Sequence, residues 1–179
     1  YFLSICFVAS FASLMAQVVT TDPIFPIDDQ QVTVTFDAAE GNKELKDCNC
    51  VVYAHTGLIT DKSTSGSDWK YVQGVWGTDD TPRKMTSLGN NKYSISYNIK
   101  TFYGASAADK VLKLAFVFRN VNGSKVGRST TGSDIFIDVY GANAGLQTLL
   151  SLPTATNITA TTGQIIPVKF IASKLSTLQ

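Results

Sequence analysis

The chain is 179 residues long, 44% hydrophobic and 16% charged, with a formal net charge of +1. That length and apolar content suit one full domain with its own core and the start of another. The near-neutral balance gives no electrostatic basis for binding nucleic acid or an anionic membrane surface, so neither is expected as a partner.

Residues 1–16, YFLSICFVASFASLMA, form an uncharged run of apolar and small residues followed directly by polar sequence. The run is short for a membrane span. It has the character of the hydrophobic region and cleavage end of a secretory signal, with a buried core helix as the competing reading. No Met or basic segment precedes it, so the first residues of the signal are expected to be missing. Ala16 suits cleavage, whereas Leu14 departs from the A-x-A pattern. The expected mature protein is secreted or held at the cell surface, with no membrane-embedded segment. Removal of Cys6 with the signal leaves Cys48 and Cys50, which in an oxidising compartment are expected to close a small disulfide around Asn49 in preference to staying free. Two thiols and the distant His55 are too few ligands for zinc, so no metal and no cofactor is expected.

Residues 18–29, with Pro23 and Pro26, read as an extended lead-in. The first strand is 31–37, with Val32, Val34 and Phe36 inward and Thr33 and Thr35 outward. A polar loop carries the cysteines to a second strand at 50–56, and 57–68, rich in Ser, Thr, Gly and Asp, reads as a surface loop. Further strands are expected at 69–75, at 83–88 with Met85 inward, and at 92–100, where Tyr93, Ile95, Tyr97 and Ile99 share one face. Residues 102–109 break the pattern, with Ser106 placed to cap a single helical turn. Residues 111–119 are apolar on both faces over much of their length, as a central strand would be. Asn122 and Gly123 give the strongest hairpin signal, and 134–140 alternates again. Seven short strands separated by turns predict an all-β chain folded as an antiparallel, immunoglobulin-like β-sandwich. The expected divisions are signal 1–16, sandwich 17–141, linker 142–154 and the truncated start of a second β domain at 155–179.

The segment 51–76 holds the only His and both Trp residues. Strand alternation puts Val52 and Ala54 on one face and Tyr53 and His55 on the other. It does the same for Trp69, Tyr71 and Gln73 against Lys70 and Val72. Neighbouring antiparallel strands would then set Tyr53, His55, Trp69 and Tyr71 side by side as an exposed aromatic surface. Sugars present apolar CH faces with a rim of hydroxyls, so such a surface, with Lys70, Gln73 and Lys62 reaching hydroxyls, suits a carbohydrate. Trp76, on the face of Val72, is expected in the core. Catalytic patterns are missing. There are no paired carboxylates at strand ends and no G-x-S-x-G elbow, and His55 lacks a nucleophile and an orienting acid. Asp79 and Asp80 read as turn residues, and Asp134 and Asp138 lack calcium-loop spacing. Asn122-Gly-Ser and Asn157-Ile-Thr fit glycosylation sequons.

The succession VVYAHTG, WKYVQGVWG, KMTSLGNNKYSISYNI, LKLAFVFRNVNG and DIFIDVY resembles the starch-binding modules of carbohydrate-binding families 25 and 26. It resembles still more the N-terminal domains of secreted α-amylase-like proteins of Bacteroidetes. The resemblance covers 51–140. It implies that Tyr53, His55 and Trp69 form a sugar platform. The chain departs from those families in a longer 57–68 loop and in a loop after 119 that offers Asn120, Asn122, Lys125 and Arg128 where some members carry another Trp. The function implied is a secreted, non-catalytic carbohydrate-binding module for α-glucan. Its partners would be the polysaccharide and a downstream glycoside hydrolase of the same chain. The alternative is a structural immunoglobulin-like spacer with its aromatics buried.

Overall fold

The computed structural model describes residues 17–141, 148–152 and 169–172. The expected signal at 1–16 lies outside them, as does most of the expected second domain. Two antiparallel sheets pack as a β-sandwich. The first has strand order β1 (Val19–Asp22), β2 (Gln31–Asp37), β6 (Lys92–Asn98), β5 (Thr86–Gly89). The second has the order β4 (Lys70–Gln73), β3 (Tyr53–Thr60), β7 (Val111–Arg119), β8 (Val126–Gly127), with β9 (Ile135–Asp138) also paired to β7.

Alternation explains the core. Val32, Val34 and Phe36 of β2 lie opposite Tyr97, Ile95 and Tyr93 of β6 and send their side chains inward. Ala54 and Leu58 of β3, with Leu114, Phe116 and Phe118 of β7, close the core from the second sheet. Phe36 and Phe118 stack across it with centroids 4.0 Å apart. Burying each such side chain stabilises the fold by about 1.5–3 kcal/mol. The buried Thr56 hydroxyl donates to Ala115 O at 2.7 Å and accepts from the Tyr103 hydroxyl at 2.6 Å, so it is fully satisfied.

Four local features differ from the sequence expectation. The lead-in contains β1, which pairs with β2 along Val19 to Asp22. The strand expected to stop at 56 runs on through Gly57, Leu58 and Ile59 to Thr60, because β7 continues to pair with it. The helical turn comes earlier than expected, as α1 (Ile99–Tyr103), where Asn98 accepts a cap bond from Thr101 N at 3.1 Å and Gly104 at φ 65° ends it. Ser106 instead opens a tight turn to Asp109. Finally, part of the expected linker is a strand, β10 (Thr148–Leu152), paired antiparallel with β11 (Lys169–Ala172). Cys48 and Cys50 are joined across Asn49. No helix among the described residues is long and apolar enough to cross a membrane.

Candidate functional site

The outer face of the second sheet is set by strand register. Tyr53, His55 and Gly57 of β3 lie opposite Arg119, Val117 and Ala115 of β7. Gly57 and Ala115 leave this face without bulk, and Trp69 occupies the space. A Cβ on Gly57 would stand 3.2 Å from Trp69 Cε3, so the indole rests directly on the strand backbone. Its Nε1 donates to Gly66 O at 3.0 Å. The ring lies 6.2 Å from His55 at 31° and meets Phe136 edge-on at 6.4 Å.

The strand after Trp69 does not alternate as expected. Thr56 pairs with Gln73 and Leu58 with Lys70, so β4 spends three steps where β3 spends two, and Tyr71 takes a positive φ of 51°. The extra residue is a bulge, and it reverses the alternation. Val72 therefore shares the outer face with Trp69. Tyr71 and Gln73, expected beside Trp69, turn the other way. The Tyr71 ring packs against the core and its hydroxyl donates to Asp109 at 2.6 Å. The Gln73 amide donates to Tyr103 O at 3.3 Å and accepts from Arg83.

Tyr53 is on the expected face but is only 2% exposed, because Arg119 opposite covers it. The guanidinium lies 5.0 Å from its ring centroid, and its hydroxyl donates to Asp79 at 2.8 Å. Burial, and then Asp79, push the Tyr53 hydroxyl above its ordinary pKa of 10.0. Tyr53 thus supports the site from beneath and offers no free ring to a ligand.

Arg119, only 1% exposed, is the residue that sequence reasoning missed. Its Nη1 donates to Thr78 O, Asn120 O and Val121 O at 2.9–3.1 Å, and its Nη2 to Val75 O at 2.6 Å. One buried cation thereby ties the 74–80 loop to the β7–β8 hairpin. Its only sequence signal is a charge at the end of the apolar run Leu114 to Phe118. The same loop is held by Asp80, which accepts from Val75 N at 3.0 Å, and by His55 Nδ1, which lies 3.1 Å from Gly74 O.

That loop carries Trp76. The expectation of a core position fails: Trp76 does share a face with Val72, but the bulge makes it the solvent face, and the indole is 45% exposed. It stands edge-on to His55 at 5.4 Å and 87°, and lies over Gly123, where a Cβ would come within 2.5 Å of its Nε1. Gly123, read with Asn122 as a hairpin signal, is therefore also the seat of this ring.

Between the two indoles is an open depression of about 400 Å³. His55, Trp69, Val72, Trp76 and Val117 give it an apolar lining; Ser67, Asp68, Arg128 and Asp134 supply polar groups. The charges are matched in pairs. Arg128 pairs with Asp134, and Lys70 donates to Asp68 at 2.8 Å. Lys70, followed by the Thr64 backbone N–H, lowers the Asp68 pKa to about 2. Lys62 is engaged by Asp109, alongside Tyr71. A carbonyl only accepts, so His55 Nδ1 carries the proton toward Gly74 O, and the neutral ring keeps its Nε2 lone pair for an incoming donor. Burial, the largest influence, holds the His55 pKa below 6.5 and the ring neutral at pH 7.

A second depression of about 430 Å³, lined by Cys50, Val52, Met85 and Tyr93 among others, includes none of the expected sugar-binding residues. Among the described residues, no group of three or more His, Cys, Asp or Glu is placed to hold a metal ion. No family model and no curated protein matches the chain.

Proposed function

We propose that this chain is a secreted, non-catalytic carbohydrate-binding module for α-glucan that targets an attached glycoside hydrolase to its polymer. The observation that carries this reading is the arrangement of Trp69 and Trp76 around His55. His55 is tilted only 31° from Trp69 but stands at 87° to Trp76, so the two indole planes are steeply inclined to each other. Such a folded aromatic surface fits the curved apolar side of an α-linked chain better than the flat face of an extended β-linked one. His55 Nε2 and the Asp68, Arg128 and Asp134 side chains supply hydrogen bonds at its edge. The charges there are already paired, which favours a neutral ligand over an ionic one. Affinity at a single site would be modest, and the gain would come from holding the attached enzyme at high local concentration.

The spacer alternative draws on the burial of Tyr53 and the diversion of Tyr71. Against it stand Trp76 and Val72, apolar side chains left in solvent around one depression, and exposed Phe136 edge-on to Trp69 beside it. Retention on insoluble starch separates the two readings. The wild-type chain should sediment with starch granules and Trp69→Ala should remain in the supernatant. Retention of neither would favour the spacer, and equal retention of both would place starch binding away from Trp69.

A further inference from the structure

We infer that Phe136 forms an additional subsite beyond the depression and makes the site selective for longer glucan chains; this rests on the α-glucan reading above. Phe136 lies on β9 between Ile135 and Ile137, both turned toward the core, and projects from the opposite face with 38% exposure. It is the large apolar residue in an outward position that strand alternation would normally give to a polar side chain. Phe136 is not part of the depression, whose lining on that side ends at Trp69. It continues the row. From Trp76 to His55, His55 to Trp69 and Trp69 to Phe136, ring centroids are separated by 5.4, 6.2 and 6.4 Å. Each step is comparable to the span of one pyranose ring.

The row is built into the sheet. Ala115 of β7 pairs with Phe136 on one side and with Gly57 on the other, so no side chain rises between Trp69 and Phe136 to interrupt it. Past Phe136 the face changes character, because Asp138 and Lys113 pair there as exposed charges. The apolar track therefore has a defined end. A short oligosaccharide filling the depression would touch His55 and the indoles without reaching Phe136. A longer one would cross Trp69 and lay a further sugar against the phenyl ring.

The test is calorimetric titration of the full chain with maltotriose and maltoheptaose, using wild type, Phe136→Ala, Phe136→Leu and Phe136→Tyr. Wild type should bind the longer ligand more tightly. Phe136→Ala and Phe136→Leu should each lower maltoheptaose affinity about five- to tenfold while leaving maltotriose within about twofold, and Phe136→Tyr should retain wild-type behaviour. Phe136→Leu keeps apolar bulk and serves if Phe136→Ala folds poorly. Equal loss for both ligands, or no loss for either, would overturn the Phe136 subsite while leaving α-glucan binding intact. Failure of folded wild-type protein to bind either ligand would overturn the subsite together with the reading on which it rests.

Discussion

The guanidinium of Arg119 lies 5.8 Å from the ring centroid of Trp76, at the end of a strand whose nearest outward residues are Val117 and Ala115. A buried cation whose Nη1 and Nη2 groups are held by carbonyls, and not by a carboxylate, is placed to fix loop geometry, although its Nε has no partner among the described residues. Trp76 inherits that geometry through Val75, whose carbonyl Arg119 holds at 2.6 Å.

Replacing Arg119 by Met should therefore remove the guanidinium from four carbonyls, of which Asn120 O keeps the Gly123 N–H and Val75 O the Thr78 hydroxyl, and destabilise the fold by about 2–4 kcal/mol. Arg119→Lys should recover only part of the loss, because an ammonium cannot reproduce the planar fork. Urea denaturation measures the stability. The near-ultraviolet circular dichroism of the indoles should weaken in both variants.

Trp76→Ala should behave in the opposite sense. The ring is 45% exposed and its removal uncovers Gly123, so the stability cost should stay under about 1.5 kcal/mol. Glucan affinity should fall about tenfold. A large stability loss with unchanged binding would show that the ring serves the fold.

Gly57 has no positive φ, so a side chain there meets no backbone strain, but it does meet Trp69 and the Lys70 carbonyl at 3.2 Å. Gly57→Val suits a strand and should leave the protein folded while lifting the indole off the sheet. The expected result is loss of binding of about tenfold or more with retained far-ultraviolet dichroism.

His55 gives a pH signature. Burial lowers its folded-state pKa below 6.5, so as pH falls from 6.5 the unfolded chain takes up a proton before the native one does. His55's stability contribution is full above pH 6.5, declines as pH falls and is lost once pH passes through the depressed folded value. Binding through a neutral Nε2 should weaken over the same acid range. Urea midpoints and affinities measured from pH 7.5 to 5 should show this slope in wild type and lose it in His55→Gln.

The alkaline side depends on the core. Burial raises Tyr103 to about 12, and Tyr97 beside it is also raised, so both should stay protonated where ordinary tyrosines ionise. Their contribution is intact below pH 10.0 and is lost as pH climbs through the raised values. Absorbance at the tyrosinate band should show delayed ionisation in the native protein, ending abruptly on unfolding.

Much of the sandwich is legible in the sequence because its central strands obey a period of two. Val32, Val34 and Phe36, and Tyr93, Ile95 and Tyr97, can be assigned inward without any coordinates. The site is less legible for a physical reason. Alternation predicts sides only along an unbroken strand, and the bulge at Tyr71 moves Val72 outward and Tyr71 inward. Tyr53 shows a different limit. Its face is read correctly, but its burial depends on Arg119, a residue 66 positions away that only β3–β7 register brings opposite it. Gly57 and Ala115, which make room for Trp69, carry no local signal of that use at all.

The most direct test of α-glucan binding on the Trp69–Trp76 face is calorimetry of the full chain with maltoheptaose and, separately, with cellohexaose. The account predicts saturable binding of maltoheptaose, little or none of cellohexaose, and loss of the heat in the Trp69→Ala, Trp76→Ala double variant. No heat with maltoheptaose from folded protein, or equal binding by the double variant, would contradict it.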